Sequence, residues 1–405
     1  MAHSSQDATS SSGSPPARAR WLTVGVLGIG LASLFSDWGH EAATSLLPAF
    51  LASLGAPAVA LGIIEGISDG LSSFAKLAGG WIADRPAWRK PNGIVGYSAT
   101  ALTTFGYAFA QSWPAVLLLR ALGWMGRGSR GPSRDALLAD SVAPAQLGRA
   151  FGFERTMDTF GAVLGPLCAA LLVGSLGIRA TIRWTLLPGL IAALAFAFLV
   201  PMGKSDEDHR APTFISSFSQ LPKKYWRLLA GIFAHGIGAF APTLLILRAT
   251  QALGPQFGLA RAAAISVGLY TFHNLMSAAA SYPTGVLSDR IGKKKLLALG
   301  YSVGALAYLG FIAAKPTLAA FVILFGIAGI HDAFQQSLEK AVAAEILPKA
   351  IRGSGFGVLA TANGIGDFIS SIAVGVLWSS VDPVSGFAYA AIFCGAGALL
   401  VGAAW

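Results

Sequence analysis

Charge is scarce in this chain. Lysine, arginine, aspartate and glutamate together make up 12% of 405 residues, about half the share of an ordinary soluble domain. Cysteine is rarer still. Cys168 and Cys394 lie far apart, each inside an apolar run, which excludes a disulfide framework and a thiolate metal cluster. The chain also lacks His-Glu-x-x-His, Gly-x-Ser-x-Gly and a glycine-rich phosphate loop ending in Lys, so no enzyme and no bound cofactor are expected. No sizeable soluble domain is expected either. That argues against an ATP-driven machine and against the remaining reading of another class, a non-transporting membrane receptor or scaffold.

Apolar residues fill the space that charge leaves, at 54% of positions and a mean hydropathy of +0.62. Runs of about 20 apolar residues recur, each long enough to cross the hydrocarbon layer as a helix. Twelve spans are predicted: 21–50, 58–82, 93–112, 114–140, 148–175, 182–201, 226–249, 260–286, 295–314, 316–343, 352–379 and 384–405. The first run is too long and too rich in ionisable groups for a cleaved signal peptide. Residues 1–20 read as a disordered cytoplasmic N-terminus. A polar linker, 202–225, separates an N-terminal bundle (21–201) from a C-terminal one (226–405). Within it Phe214, Ile215, Phe218 and Leu221 have helical spacing, so an interfacial helix and an unstructured linker both remain open.

The net charge of +10 does not call for nucleic acid. Arg85, Arg89 and Lys90, then Lys204, Lys223 and Lys224, then Lys293, Lys294 and Lys295 cluster in the loops of one side. This is the positive-inside pattern of a multi-pass protein of the cytoplasmic (inner) membrane with both termini in the cytoplasm.

The halves repeat. "GGWIADRPAWRK" (79–90) after span 2 matches "TGVLSDRIGKKK" (284–295) after span 8, and "AFGFERTMDTFG" (150–161) matches "GFGVLATANGIG" (355–366). On these paired Gly-x-x-x-Asp-Arg loops the whole chain resembles the major facilitator superfamily of secondary transporters. The resemblance implies an all-α integral membrane fold, twelve transmembrane helices in two pseudo-symmetric six-helix bundles, working by alternating access, with spans 1, 4, 7 and 10 around a central cavity. It assigns gating to Gly80, Asp84 and Arg85 and to Gly285, Asp289, Arg290 and Gly292, with Asp140 as a partner for Arg85. "GAVLGP", with Gly161, Gly165 and Pro166, resembles the motif of antiporters in this superfamily and points to export.

Ionisable residues inside spans are costly and belong in a wet cavity or with partners. Asp37, His40 and Glu41 share one face of span 1. Span 4 carries Arg120, Arg127, Arg130 and Arg134 as a stripe, span 2 carries Glu65 and Asp69, span 7 has His235, and span 10 has His331, Asp332, Gln336 and Glu339. Coupling to a proton gradient falls to Asp37 or Glu41 first and to Glu65 and Asp69 second, with Arg127 or Arg130 as counter-charge. Two cargoes remain open. A small organic or drug-like molecule would meet Trp38, His40, Arg127, Arg130, His235, His331, Asp332, Gln336 and Glu339. A divalent transition metal would be held by His40, Glu41, His235, His331 and Asp332. Besides its substrate and the lipid bilayer no partner is expected, and a monomer suffices.

Overall fold

A computed structural model describes residues 21–202, 213–240 and 242–403. The N-terminal segment 1–20 and the whole charged stretch from Lys204 to Arg210 lie outside the described residues. Every span is a helix, and no strand occurs among the described residues. The helices are α1 (Val24–Ser53), α2 (Ala58–Ala83), α3 (Pro86–Gly106), α4 (Trp113–Asp140), α5 (Leu147–Leu176), α6 (Ile178–Trp184) and α7 (Leu186–Leu199). They continue with α8 (Phe214–Ser219), α9 (Lys223–Gly236), α10 (Pro242–Phe257), α11 (Leu259–Ile291), α12 (Lys293–Ala313), α13 (Leu318–Ile346), α14 (Arg352–Ser380) and α15 (Pro383–Ala403). Helices α6 and α7 together make span 6, and α9 and α10 make span 7. Span 7 breaks where two glycines, Gly236 and Gly238, precede Pro242, a residue with no amide hydrogen to continue a helix.

Two six-helix bundles result. In the first, α1 packs on α5 and α7, and α4 on α2 and α3; in the second, α13 packs on α11 and α12, and α15 on α12 and α9. The bundles meet through α5 against α11 and α2 against α14. Leu102 on α3, Phe198 on α7, Leu306 on α12 and Leu399 on α15 are exposed, which puts these helices toward lipid. Helix α3 starts seven residues before its predicted span, because Pro86 sits at its first turn, where its fixed backbone angle and missing donor suit a helix start.

The buried apolar residues show how the bundles are joined. At the end bearing the two motif loops a single core runs through both, including Tyr97, Phe151 and Phe196 from the first and Tyr225, Leu297 and Phe356 from the second. At the opposite end the core divides in two. Leu47, Phe50, Tyr107 and Ile182 belong to the first bundle alone, and Tyr308, Phe311, Phe325 and Phe387 to the second alone. The bundles are therefore fused at the motif end and separate at the other.

Candidate functional site: a cavity above a closed helical end

The closure is built from two mirrored caps. Asp84, just beyond α2, accepts hydrogen bonds from the Ser354 amide (2.8 Å) and hydroxyl (2.5 Å) at the start of α14. Asp289, near the end of α11, accepts from the Gly148 and Arg149 amides (2.9 and 3.1 Å) at the start of α5. Each acid thus caps a helix of the other bundle, where free amides and the helix dipole favour an anion. Burial pushes the Asp84 carboxyl above the usual carboxylate range, while its Ser354 and Ser217 donors pull it back. Ser217, on α8, donates to Asp84 at 3.1 Å, so the linker helix is tied to the closure. Phe218 and Leu221 pack against the shared core.

Gly80 and Gly285 explain themselves at the same crossings. A Cβ on Gly80 would lie 2.8 Å from the Gly353 carbonyl oxygen and 3.0 Å from the Gly357 Cα, and one on Gly285 would enter the Gly148 backbone. Backbone contact this close leaves no room for a side chain. Gly292 adopts φ +103° between α11 and α12, the left-handed region that favours glycine. Arg290 is exposed. Asp140 pairs with Arg89 at 2.5 Å and with Arg352, rather than with the expected Arg85. The early start of α3 turns Arg89 inward, whereas Arg85 folds back over the Trp81 ring at 3.9 Å. Gly161 and Gly165 abut the α1 backbone at Leu34 and Trp38, so the glycines of "GAVLGP", followed by Pro166, bring α1 and α5 into close contact.

Above this closed end the span-4 arginines find acids one by one. Arg127 pairs with Asp37 at 2.7 Å, Arg120 with Glu65 at 2.8 Å, and Arg134 with Glu154 at 2.7 Å and Asp135 at 3.0 Å. Arg130 differs. It lies over the Tyr97 ring at 3.9 Å and donates to Ser36 and Thr100, with no carboxylate partner among the described residues. Glu41 is half-buried and Asp69 exposed, and neither has an ion pair among the described residues. Arg155, on α5, bridges the bundles by pairing with Asp158 at 2.6 Å and Asp332 at 3.6 Å.

The histidines do not converge. His40 stands edge-on to Trp124 in the first bundle. His235 and His331 face each other in the second, Nε2 to Nε2 at 3.3 Å. Because the Nδ1 of His331 lies 2.9 Å from the Gly300 carbonyl, it is the protonated nitrogen, and the Nε2–H of His235 donates to His331. No group of three or more His, Cys, Asp or Glu side chains is placed to hold a metal among the described residues.

A cavity of about 520 Å³ opens between the bundles. Lys76 and Asp135 enter it from the first bundle; His331, Asp332, Gln336, Glu339, Lys340 and Asp367 enter from the second, with Phe240, Tyr308 and Phe356 as aromatic wall. Lys340 reaches Asp135 at 3.3 Å across the gap. Trp38 stacks on Phe35, and neither borders this cavity. The importance of Ser217, Ser354 and Arg352 was not visible in the sequence, since their partners lie far away along the chain and no spacing links them.

Two mirrored six-helix bundles, capped into each other at one end and flanking a polar cavity, define a polytopic membrane carrier. The chain belongs to the Major Facilitator Superfamily, whose family profile matches residues 29–272 and 228–405, and members of that family are transporters. An uncharacterized MFS-type transporter of Methanocaldococcus jannaschii is 28% identical over 379 residues, 92% of this chain and 93% of that protein. The multidrug resistance protein MdtG of Salmonella paratyphi C is 30% identical over 284 residues, 66% of each chain. Among solved structures, the human organic anion transporter MFSD10 shares the fold with a TM-score of 0.74 at 15% identity, covering 96% of this chain and 100% of its own.

Proposed function

We propose that this protein is a proton-coupled secondary transporter that exports small organic, drug-like molecules by alternating access. The observation that carries this reading is the shared core at one end and the divided core at the other, around a cavity walled by both bundles. Such a shape is one of the two end states of a rocking carrier. On the positive-inside pattern the closed motif end faces the cytoplasm of an inner-membrane protein with cytoplasmic termini, so this state is open to the outside.

The cavity volume falls in the range of small-molecule sites, and its walls alternate aromatic rings with charges of both signs. A molecule with an apolar body and a polar or charged group fits that lining. Most span-4 arginines are occupied by acids, so they balance buried charge rather than await an anionic cargo. Export is supported by the Gly161, Gly165 and Pro166 motif and by the likeness to a multidrug resistance protein. The cargo is organic rather than metallic on this reading, because His40 stands against Trp124, His235 and His331 face each other, and Asp332 pairs with Arg155.

Everted membrane vesicles holding the protein, energised to an acidic interior, test this directly. Addition of ethidium should collapse part of the pH gradient and drive ethidium inward, with no such response in vesicles lacking the protein. Silence toward a panel of organic cations and anions, with a response to nickel, cobalt, zinc or iron, would overturn the reading in favour of metal efflux.

A further inference from the structure

Six acidic residues are buried as whole residues among the described ones: Asp37, Asp84, Asp135, Glu154, Asp158 and Glu339. Asp84 lies in the motif loop. Of the five inside spans, four have an arginine within ion-pair distance. Glu339 has none, and it lies on the cavity wall. A buried carboxylate without a cation is costly as an anion.

Its contacts hold it in one proton state and supply the means to accept the other. The Tyr301 hydroxyl, on α12, donates to Oε1 at 2.6 Å, and the Asn363 amide nitrogen, on α14, donates to Oε2 at 2.6 Å. The other end of that amide, Asn363 Oδ1, is buried with no hydrogen-bond partner. An amide that turns over by half a rotation exchanges donor for acceptor in the same place. The charged groups around Glu339 are Lys340, next in sequence and engaged with Asp135, and Asp367 on α14. Asp332 is taken by Arg155 from α5, His235 on α9 stacks on the Tyr301 ring at 3.8 Å, and Lys76 on α2 and His273 on α11 line the same cavity.

We propose that Glu339 is the residue that takes up the coupling proton, with Asn363 reversing its amide to match. A hydronium ion in the cavity gives one proton to Oε2 and leaves as water. The carboxylate becomes a neutral acid, and its new O–H donates to Asn363 Oδ1, which had no partner. Tyr301 keeps its bond to Oε1 in both states. Moving the proton site to span 10 puts it on the cavity wall, where cargo and proton compete for one place. This assignment rests on the proton-coupled reading above.

The test separates the two. Infrared difference spectra of the full chain in lipid, recorded between neutral and acidic buffer, should show a protonated-carboxyl C=O band. That band should vanish in Glu339→Gln, return in Glu339→Asp, and persist in Asp37→Asn and Asp367→Asn. Tyr301→Phe should shift its position, since the hydroxyl bonds the carboxyl in both states. A band that survives Glu339→Gln, or that disappears in Asp37→Asn instead, overturns the assignment whatever the protein transports. In vesicles, Glu339→Gln should lose ethidium movement driven by a pH gradient, and Glu339→Asp should retain it. Full gradient-driven movement in Glu339→Gln would also overturn it, whereas absence of such movement in the unaltered protein would strike only the proton-coupled reading.

Discussion

Removing the Asp84 carboxylate should loosen the closed end, and the size of the effect follows from its three bonds. Two come from Ser354 and one from Ser217, and charge-assisted hydrogen bonds are each worth about 1.5–3 kcal/mol. Most of that gross value is offset by the cost of burying the carboxylate. Replacing an acidic helix cap by Ala costs about 0.5–2 kcal/mol net, and with two further bonds lost the upper half of that range applies, about 1–2 kcal/mol. Hydrogen exchange read by mass spectrometry on Asp84→Ala should then show the first turns of α14, from Arg352 to Leu359, exchanging about 5- to 30-fold faster, at tenfold per 1.4 kcal/mol. Asp289→Ala should accelerate the first turn of α5 by a similar factor. If the two caps open together, each substitution also speeds exchange at the other's helix. A change below twofold at α14, or acceleration confined to helices far from either cap, would refute the idea that these acids hold the bundles together.

Acidity bears on the same closure. Burial holds Asp84 above the usual carboxylate range in the closed state, so a closed end binds this proton more tightly than an opened, hydrated one. Closure is therefore favoured as pH falls and loses that contribution as pH rises through the closed-state value; once the intrinsic pH dependence of amide exchange is divided out, the pH dependence of α14 protection should disappear in Asp84→Ala. Gly80→Leu should cut ethidium transport at least about tenfold, because its side chain collides with the Gly353 backbone. Gly174→Leu, on α5 where a Cβ meets nothing within 4 Å, should leave it near normal. Asp37→Ala strands Arg127 in the bundle and should lower unfolding stability in detergent by about 3–5 kcal/mol, while Asp37→Asn combined with Arg127→Gln should recover most of the loss. Arg155→Ala should weaken the contact between α5 and α13 and raise exchange near Asp332, measured in the same experiment.

Hydropathy located every span, because about 20 apolar residues in water-free surroundings leave the backbone only a helix. The breaks were harder to place. Span 7 interrupts at Gly236 to Pro242 while its hydrophobicity runs on, and window averages cannot see a local change of backbone. The start of α3 at Pro86 was hidden by Arg89 and Lys90, which read as loop residues although Asp140 neutralises Arg89 inside the helix. At the site, the family resemblance put spans 1 and 4 around one cavity, and the structure joins their Asp37 and Arg127. The sequence could not show that His40 stands against Trp124 while His235 and His331 face each other, since where a side chain points is set by packing across distant spans. Tyr301 gave no signal at all, and Asn363 only its place opposite Asp158 in the repeat. Their meaning comes from meeting Glu339, and nothing in their neighbours along the chain announces that meeting.

The central claim is that one end opens as the other closes. Spin labels at Trp88 and Lys295, both exposed at the motif end, and at Gln111 and Lys315, both exposed at the other, measure the two ends in one protein with Cys168 and Cys394 replaced. On adding a transported compound and an acid shift, the first distance should lengthen while the second shortens. Distances that change in the same sense, or that stay fixed while ethidium is being moved, would contradict the account.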